Sequence, residues 1–113
     1  FYINDGFIDA QLYQRSGDMF LGVPFNIASY SFLLYIIGHL TGYKPRKLIH
    51  ILGDAHVYKE HISAVKKQFI RIPRKFPKLY ISNELNDINH IKEENFKILE
   101  YESCLTIKAK MIA

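Results

Sequence analysis

The feature that most constrains the fold is a polar strand end that leads through a tight turn into an apolar helix. The strand end reads Gln14-Arg15-Ser16-Gly17-Asp18, and residues 21–28 read Leu-Gly-Val-Pro-Phe-Asn-Ile-Ala. A planar guanidinium beside a hydroxyl suits a phosphate. An amide such as Asn26 carries a donor and an acceptor and can pair with the edge of a planar base. The segment therefore predicts an anion and a base held a few ångströms apart.

Composition limits the chain to one small domain or part of a larger one. It has 113 residues, is 49% hydrophobic and carries a formal charge of +4, a mild excess that suits an anionic ligand. Its single cysteine, Cys104, excludes an internal disulfide and fits a reducing compartment. No signal peptide is visible, and because Phe1 replaces an initiator Met we expect a fragment.

The first half of the chain predicts a hairpin followed by a helix. Asp5-Gly6 is a type I′ turn signal within residues 1–16, and residues 17–22 are expected to form a loop. Asn26 is expected to cap a helix that runs to Thr41, with Gly42 just past its end. Apolar residues surround this helix, so we expect it to be central and buried. Its apolar run, residues 27–40, is shorter than the ~20 residues of a membrane span.

The second half predicts a buried strand over residues 47–52, broken or bulged at Gly53-Asp54. Asp54, His56 and Tyr58 are spaced by two, so an extended backbone places them on one face. A helix is expected over residues 59–70, before Pro73. Short strands are expected over residues 79–82, 96–101 and 105–110, with a polar, turn-rich segment at 83–95.

Each candidate site residue also has a purely structural interpretation. Arg15 and Ser16 could sit at a solvated strand end, and Asn26 could be a helix cap, a role that would compete with base pairing for one amide oxygen. His56 and Tyr58 could hydrogen-bond a sugar hydroxyl or serve as satisfied interior polar groups. Sequence alone leaves these alternatives open.

Other chemistries find little support. The five histidines lack zinc-like spacing to cysteines or carboxylates, so no metal is expected. Cys104 has no adjacent histidine or basic residue that would activate it as a nucleophile, and there is no glycine-rich phosphate loop. A basic stretch around two prolines supports a rival hypothesis, a catalytically inactive nucleotide- or RNA-binding module. Its members are Lys66, Lys67, Arg71, Arg74, Lys75 and Lys78.

The ordered motifs of the chain resemble the thymidylate synthase family from end to end. They are Tyr13 to Asp18, Leu21 to Tyr30, His50 to Tyr58 with the heart Gly53-Asp54-Ala55-His56-Val57-Tyr58, then Gln68, Arg71, Pro73-Arg74 and Phe76 to Leu79, and finally Thr106 to Lys108 and Met111 to Ala113. The resemblance implies an α/β (α+β) fold, with a mixed sheet packed on a buried central helix and the sheet as a homodimer interface. Residues 1–113 would be the C-terminal part of one synthase domain without internal boundary.

The resemblance also implies an activity. A cysteine of the family adds to C6 of the uracil of dUMP, and 5,10-methylenetetrahydrofolate supplies and reduces the one-carbon unit at C5, giving dTMP and dihydrofolate. That cysteine is expected just upstream of Phe1, so the isolated chain is expected to be inactive or to be one half of a split synthase. The segment Glu102-Ser103-Cys104-Leu105 departs from the family pattern, so the approach to the C-terminal lid is expected to differ.

The family's site residues carry over onto matching positions. The resemblance assigns dUMP binding to Gln14, Arg15, Ser16, Asp18, Asn26, His56 and Tyr58, with Arg15 and Asn26 also supporting catalysis. It assigns folate binding to Asp18, Leu21, Gly22, Phe25, Tyr58 and Ala113. No metal, membrane or nucleic acid is expected as a partner. The expected location is the cytoplasm, with the nucleus or mitochondrion added in a eukaryote.

Overall fold

The chain begins with the predicted hairpin. In the computed structural model, which describes residues 1–112, β1 (Tyr2–Asn4) pairs antiparallel with β2 (Phe7–Asp18). Asp5 and Gly6 join them with φ of 50° and 77°, the two left-handed positions that a type I′ turn requires. The strand β2 extends through Gly17 and Asp18, which the sequence analysis had assigned to a loop.

A strand–helix–strand unit follows and forms the framework of the fold. The helix α1 (Val23–Thr41) connects β2 to β3 (Lys44–His56), and the two strands pair in parallel. The resulting sheet has the order β1-β2-β3 and combines antiparallel with parallel pairing. Parallel neighbours need such a crossover, usually through a helix. The predicted mixed α/β architecture is therefore confirmed.

The prediction for α1 is correct at its C-terminal end and wrong at its N-terminal end. Gly42 ends the helix in the left-handed conformation, with φ of 76°, as expected. The prediction that Asn26 caps the helix is wrong. Gly22 occupies the N-cap position and Pro24 lies in the first turn, so Asn26 is already helical and its N–H donates to the Gly22 carbonyl oxygen at 3.0 Å.

Within residues 1–112, α1 is only partly buried. Leu34 and Ile36 are buried, whereas Phe25, Ile27 and Tyr35 are exposed. By length and apolar composition, α1 is also the one helix in the described chain that could cross a membrane. Of its most apolar 18-residue stretch, 22% is buried. Core helices meet the same criterion, and α1 packs on the two strands that it connects.

The strand β3 runs unbroken through Gly53 and Asp54, so the predicted break there is wrong. The backbone of Gly53 packs so closely on β2 that a Cβ atom would lie 2.8 Å from the Arg15 carbonyl oxygen. The irregularity lies instead near the start of the pairing, where Ile8 faces Pro45 but Asp9 faces Lys47. Arg46 is the extra residue of this bulge.

After β3 the chain forms only short helices, turns and strands within the described residues. A 3₁₀ turn (Lys59–His61) leads into α2 (Ile62–Phe69), and β4 (Lys78–Ile81) pairs antiparallel with β5 (Phe96–Leu99). Two further 3₁₀ turns span Ile88–His90 and Glu93–Asn95. The prediction of a strand over residues 105–110 is wrong, because this segment has no strand partner and is irregular. Within the described residues, the side chain of His61 bonds the Lys110 carbonyl oxygen of this segment.

An ion pair between the buried Asp9 and the exposed Arg46 holds the bulge at the start of the parallel pairing. Asp9 is only 7% exposed, and its two carboxylate oxygens accept bonds from Arg46 Nε at 3.0 Å and Nη2 at 2.7 Å. The backbone N–H of Lys47 donates to the same carboxylate at 3.0 Å. The hydrogen bond from Arg46 is the largest cause that holds the pKa of Asp9 below its usual range.

We expect Asp9→Asn to destabilise the complete protein at pH 7, because the amide cannot accept the bidentate bond of Arg46. The lowered pKa means that the unfolded state takes up this proton first as pH falls. The contribution of Asp9 is therefore complete above the ordinary aspartate pKa, about 3.9, and is lost as pH falls through the lower folded value. Urea unfolding between pH 7 and pH 3 should show the difference shrinking at the acid end. The exposed Glu94→Gln is the control, and a pH-independent difference would contradict the prediction.

Candidate functional site

The site lies where the carboxyl ends of β2 and β3 meet the beginning of α1. In the parallel register Ser16 faces Asp54, and Asp18 faces His56. Main-chain bonding ties the turn to this edge, since the N–H of Met19 donates to the His56 carbonyl oxygen at 2.8 Å. Ligands in open α/β sheets bind outside the carboxyl ends of parallel strands, which makes this edge the candidate site.

A hydrogen-bonded amide network occupies the centre of the edge. Gln14 Nε2 donates to Asn26 Oδ1 at 3.0 Å and to the main-chain oxygen of Ser16 at 2.9 Å. On the other side, His50 Nε2 lies 2.9 Å from Gln14 Oε1. His50 is not among the site residues predicted from the sequence. Its only signal was a lone polar residue within the apolar run of β3.

A second cluster joins the sugar-binding candidates. His56 Nδ1 lies 3.1 Å from Asp54 Oδ2, and the Ser16 hydroxyl is 3.4 Å from the same oxygen. The rings of His56 and Tyr58 meet edge to face, with centroids 5.1 Å apart at 83°. The prediction that Asp54, His56 and Tyr58 lie on one side is confirmed by these contacts.

Arg15 supplies the positive charge at this edge. It is exposed, and within residues 1–112 no hydrogen bond or ion pair engages its guanidinium. A guanidinium without a protein partner keeps its full fork of donors for an oxyanion. Within residues 1–112 the guanidinium of Arg15 is therefore available to an anion at the carboxyl end of β2.

Asp18 organises the turn between β2 and α1. Its Oδ1 accepts the N–H of Phe20 at 3.0 Å and its Oδ2 that of Leu21 at 3.3 Å. Its main-chain oxygen accepts the N–H of Gly22 at 3.0 Å. Phe25, on the next turn of α1, is 71% exposed. The carboxylate is therefore oriented by the backbone, and Ala113, the remaining folate candidate, lies outside the described residues.

His61 links this turn to the C-terminal segment. It is 1% exposed, and Nε2 lies 2.8 Å from the Lys110 carbonyl oxygen. A carbonyl oxygen only accepts, so Nε2 carries a proton. Nδ1 is buried 4.0 Å from Asp18 Oδ2 and has no hydrogen-bond partner among the described residues. His61 is also absent from the residues predicted from the sequence, because its partners Asp18 and Lys110 lie far away along the chain.

The rival features are not assembled into a site in the described chain. Residues 1–112 contain no group of three His, Cys, Asp or Glu side chains that could hold a metal ion. Cys104 is exposed. Two members of the basic stretch pair with glutamates, Lys78 with Glu100 at 2.7 Å and Arg74 with Glu102 at 3.8 Å. These pairs reduce the positive charge available to a nucleic acid.

Comparisons with known proteins agree on one family. The family model described as thymidylate synthase matches residues 1–113. Human thymidylate synthase is 53% identical over 111 residues, which are 98% of this chain and 36% of that protein. The thymidylate synthases of human herpesvirus 8 type P (isolate GK18) and equine herpesvirus 2 (strain 86/87) are 49% and 50% identical over the same share of this chain. The chain spans 33% and 38% of those two proteins, so it covers about a third of the length of these curated relatives.

We expect His61→Leu to release the C-terminal segment, because the Lys110 carbonyl oxygen loses a bond worth about 0.5–1.5 kcal/mol. His61→Gln keeps an N–H donor at a similar reach and should retain part of the restraint. Amide hydrogen exchange over residues 105–112 of the complete protein would measure this. Equal exchange in the wild type and His61→Leu would contradict the prediction.

Proposed function

Because this chain belongs to the thymidylate synthase family, we propose that the complete protein methylates dUMP to dTMP. The one-carbon donor and reductant would be 5,10-methylenetetrahydrofolate, and the protein would work in the cytoplasm. The observation that carries the proposal is that one sheet edge holds the Asn26 amide, oriented by Gln14, together with a His56–Tyr58 pair. Arg15, whose guanidinium has no partner within residues 1–112, lies at the carboxyl end of the strand that carries Gln14. These groups match the phosphate, base and sugar of a nucleotide.

In this proposal each part of dUMP has its own partner. Arg15 and the Ser16 hydroxyl hold the phosphate, and Asn26 reads the uracil edge with its donor and acceptor. His56 and Tyr58 hydrogen-bond the deoxyribose hydroxyl. Gln14 and Asp18 complete the pocket, Gln14 through its bond to Asn26.

The folate would bind beside the nucleotide, over the turn between β2 and α1. Asp18 presents a carboxylate already oriented by two backbone N–H groups, and the exposed Phe25 ring offers a surface on which a flat pterin can pack. Leu21, Gly22, Tyr58 and Ala113 are proposed to complete this surface. The C-terminal segment, tied to His61 through Lys110, would close over both ligands and exclude water.

The nucleophile of this reaction is proposed to lie outside the 113 residues. Cys104 is exposed on the irregular C-terminal segment and has no hydrogen-bond partner in the described chain. The family's thiol would lie just before Phe1, close to Arg15. The isolated 113-residue chain is therefore proposed to bind ligand groups without turning them over.

The open face of the sheet is proposed as the homodimer interface. Tyr13, Ile49 and Ile51 are exposed on neighbouring strands, and Tyr13 faces Ile51 in the register. Tyr13 is 66% exposed. Apolar and aromatic side chains grouped on a sheet face are typical of a surface that another subunit covers.

We expect Arg15→Ala to weaken dUMP binding by the complete protein about thirtyfold or more, because truncating one member of a charged pair costs about 2–5 kcal/mol. Binding of deoxyuridine, which lacks the phosphate, should hardly change. Arg74→Ala removes the same charge from an exposed position and is the control. Calorimetric titration would measure all three. Wild-type affinity for dUMP in Arg15→Ala would contradict the proposed phosphate site.

We expect Ile51→Lys to convert the dimer to a monomer, because it places a charge in the centre of the proposed interface. Ile51 is already exposed in the single chain, so folding should be retained. Ile98→Lys makes the same change on β5, outside this sheet, and is the control. Light scattering after size-exclusion chromatography would report the mass. A dimer of Ile51→Lys would place the interface elsewhere.

A further inference from the structure

The ring of His61 is held between two oxygens that can only accept hydrogen bonds. Its side chain is 1% exposed, and the rings of Phe20 and Tyr58 pack against it with centroids 5.4 and 5.7 Å away. Nε2 lies 2.8 Å from the Lys110 carbonyl oxygen, and Nδ1 lies 4.0 Å from Asp18 Oδ2. Because a carbonyl and an ionised carboxylate have no proton to donate, each oxygen calls for an N–H on the ring.

A neutral imidazole has one N–H and satisfies only one of these oxygens. With the proton on Nε2, Nδ1 turns a lone pair toward a carboxylate and is left buried without a partner within residues 1–112. With the proton on Nδ1, a shift of about 1 Å brings Asp18 into hydrogen-bond range. Nε2 then turns its lone pair toward the Lys110 carbonyl oxygen. For a neutral His61, the bond to Lys110 and the bond to Asp18 therefore exclude each other.

The carboxylate of Asp18 has room for a ligand. Oδ1 accepts the N–H of Phe20 at 3.0 Å, and Oδ2 accepts that of Leu21 at a longer 3.3 Å. Each carboxylate oxygen has two lone pairs, and the side chain is 18% exposed. Oδ2, the oxygen that faces His61, can thus accept one further bond, either from the imidazole or from a ligand.

We propose that His61 is a positioning residue whose single N–H couples ligand binding at Asp18 to docking of the C-terminal segment, residues 105–112. The inference rests on the proposed function, in which Asp18 binds the pterin of the folate. A ligand N–H that donates to Oδ2 replaces the N–H of the ring. Nδ1 then gives its proton to water and Nε2 takes one from water, so the charge of the ring is unchanged. The ring now donates to Lys110, and by reciprocity a docked segment leaves Asp18 open to the ligand.

Asp18→Asn tests this conflict in the complete protein without any ligand. The amide oxygen can keep the 3.0 Å bond from Phe20, which puts the nitrogen in the place of Oδ2. That nitrogen donates to Nδ1, so His61 keeps its proton on Nε2 and both ring nitrogens are satisfied. We expect amide hydrogen exchange over residues 105–112 to slow about threefold to tenfold, in line with one hydrogen bond gained. If Asp18 only braced its own turn, exchange would become faster.

Asp87→Asn is the matched control for this substitution. Asp87 Oδ1 also accepts a main-chain N–H two residues further on, from Asn89 at 2.9 Å, in an exposed turn. The change removes the same charge from a similar hydrogen-bonded position. It should leave the exchange of residues 105–112 at the wild-type rate. Circular dichroism would confirm that both variants are folded.

The ¹⁵N resonances of the ring report the coupling itself. We expect the proton of His61 to move from Nδ1 to Nε2 when dihydrofolate is added to the complete protein with dUMP. His39 is the internal control, because its Nε2 lies 2.9 Å from the Leu85 carbonyl oxygen and should stay protonated in both samples. His61→Gln keeps an N–H donor but has no second tautomer. In this variant, the factor by which dihydrofolate slows exchange over residues 105–112 should fall about threefold or more.

The outcomes separate this inference from the proposed function. Unchanged or faster exchange over residues 105–112 in a folded Asp18→Asn overturns the coupling. A His61 ring that carries two protons, or one tautomer with and without dihydrofolate, overturns it as well. If the wild-type protein does not bind dihydrofolate beside dUMP, the proposed function fails. The exchange of Asp18→Asn, measured without ligand, then decides whether His61 links residue 18 to the C-terminal segment.

Discussion

The parallel pairing of β2 with β3 is the constraint on which the rest of the structure depends. It places Ser16 opposite Asp54 and Asp18 opposite His56, and so creates the edge where the polar groups meet. A slip of one residue would send every side chain of the slipped strand to the other face. The bidentate Asp9–Arg46 pair at the bulge and the close backbone contact of Gly53 with Arg15 hold the register near its two ends.

Local signals in the sequence were enough to predict elements whose cause is local. The Asp5-Gly6 turn, the left-handed Gly42 and the alternation that groups Asp54, His56 and Tyr58 all follow from the conformational preferences of a few adjacent residues. The wrong predictions concern features with a nonlocal cause. Alternation at residues 105–110 cannot form a strand without a partner, and a glycine in β3 marks a close approach as readily as a break.

The two histidines that organise the site were beyond sequence reasoning for the same reason. His50 bonds Gln14 across 36 residues, and His61 bonds Lys110 across 49. Separations this long follow no helix or strand period. Only the folded chain therefore shows that these two rings face an amide oxygen and a carbonyl oxygen. Residue chemistry and the family resemblance both pointed to Arg15, Ser16 and Asn26 as site candidates, but no motif contained the bonds that orient Asn26.

The position at which α1 begins leaves the side chain of Asn26 free of a capping role. Sequence reasoning raised a conflict, since one amide oxygen could not both cap a helix and read a base. The fold removes that conflict by starting the helix four residues earlier, with Gly22 at the cap position and Pro24, which has no N–H to satisfy, in the first turn. The backbone thus needs nothing from the Asn26 side chain. Gln14 can then hold that amide at 3.0 Å, where its orientation follows from the Ser16 carbonyl oxygen and not from the demands of the helix.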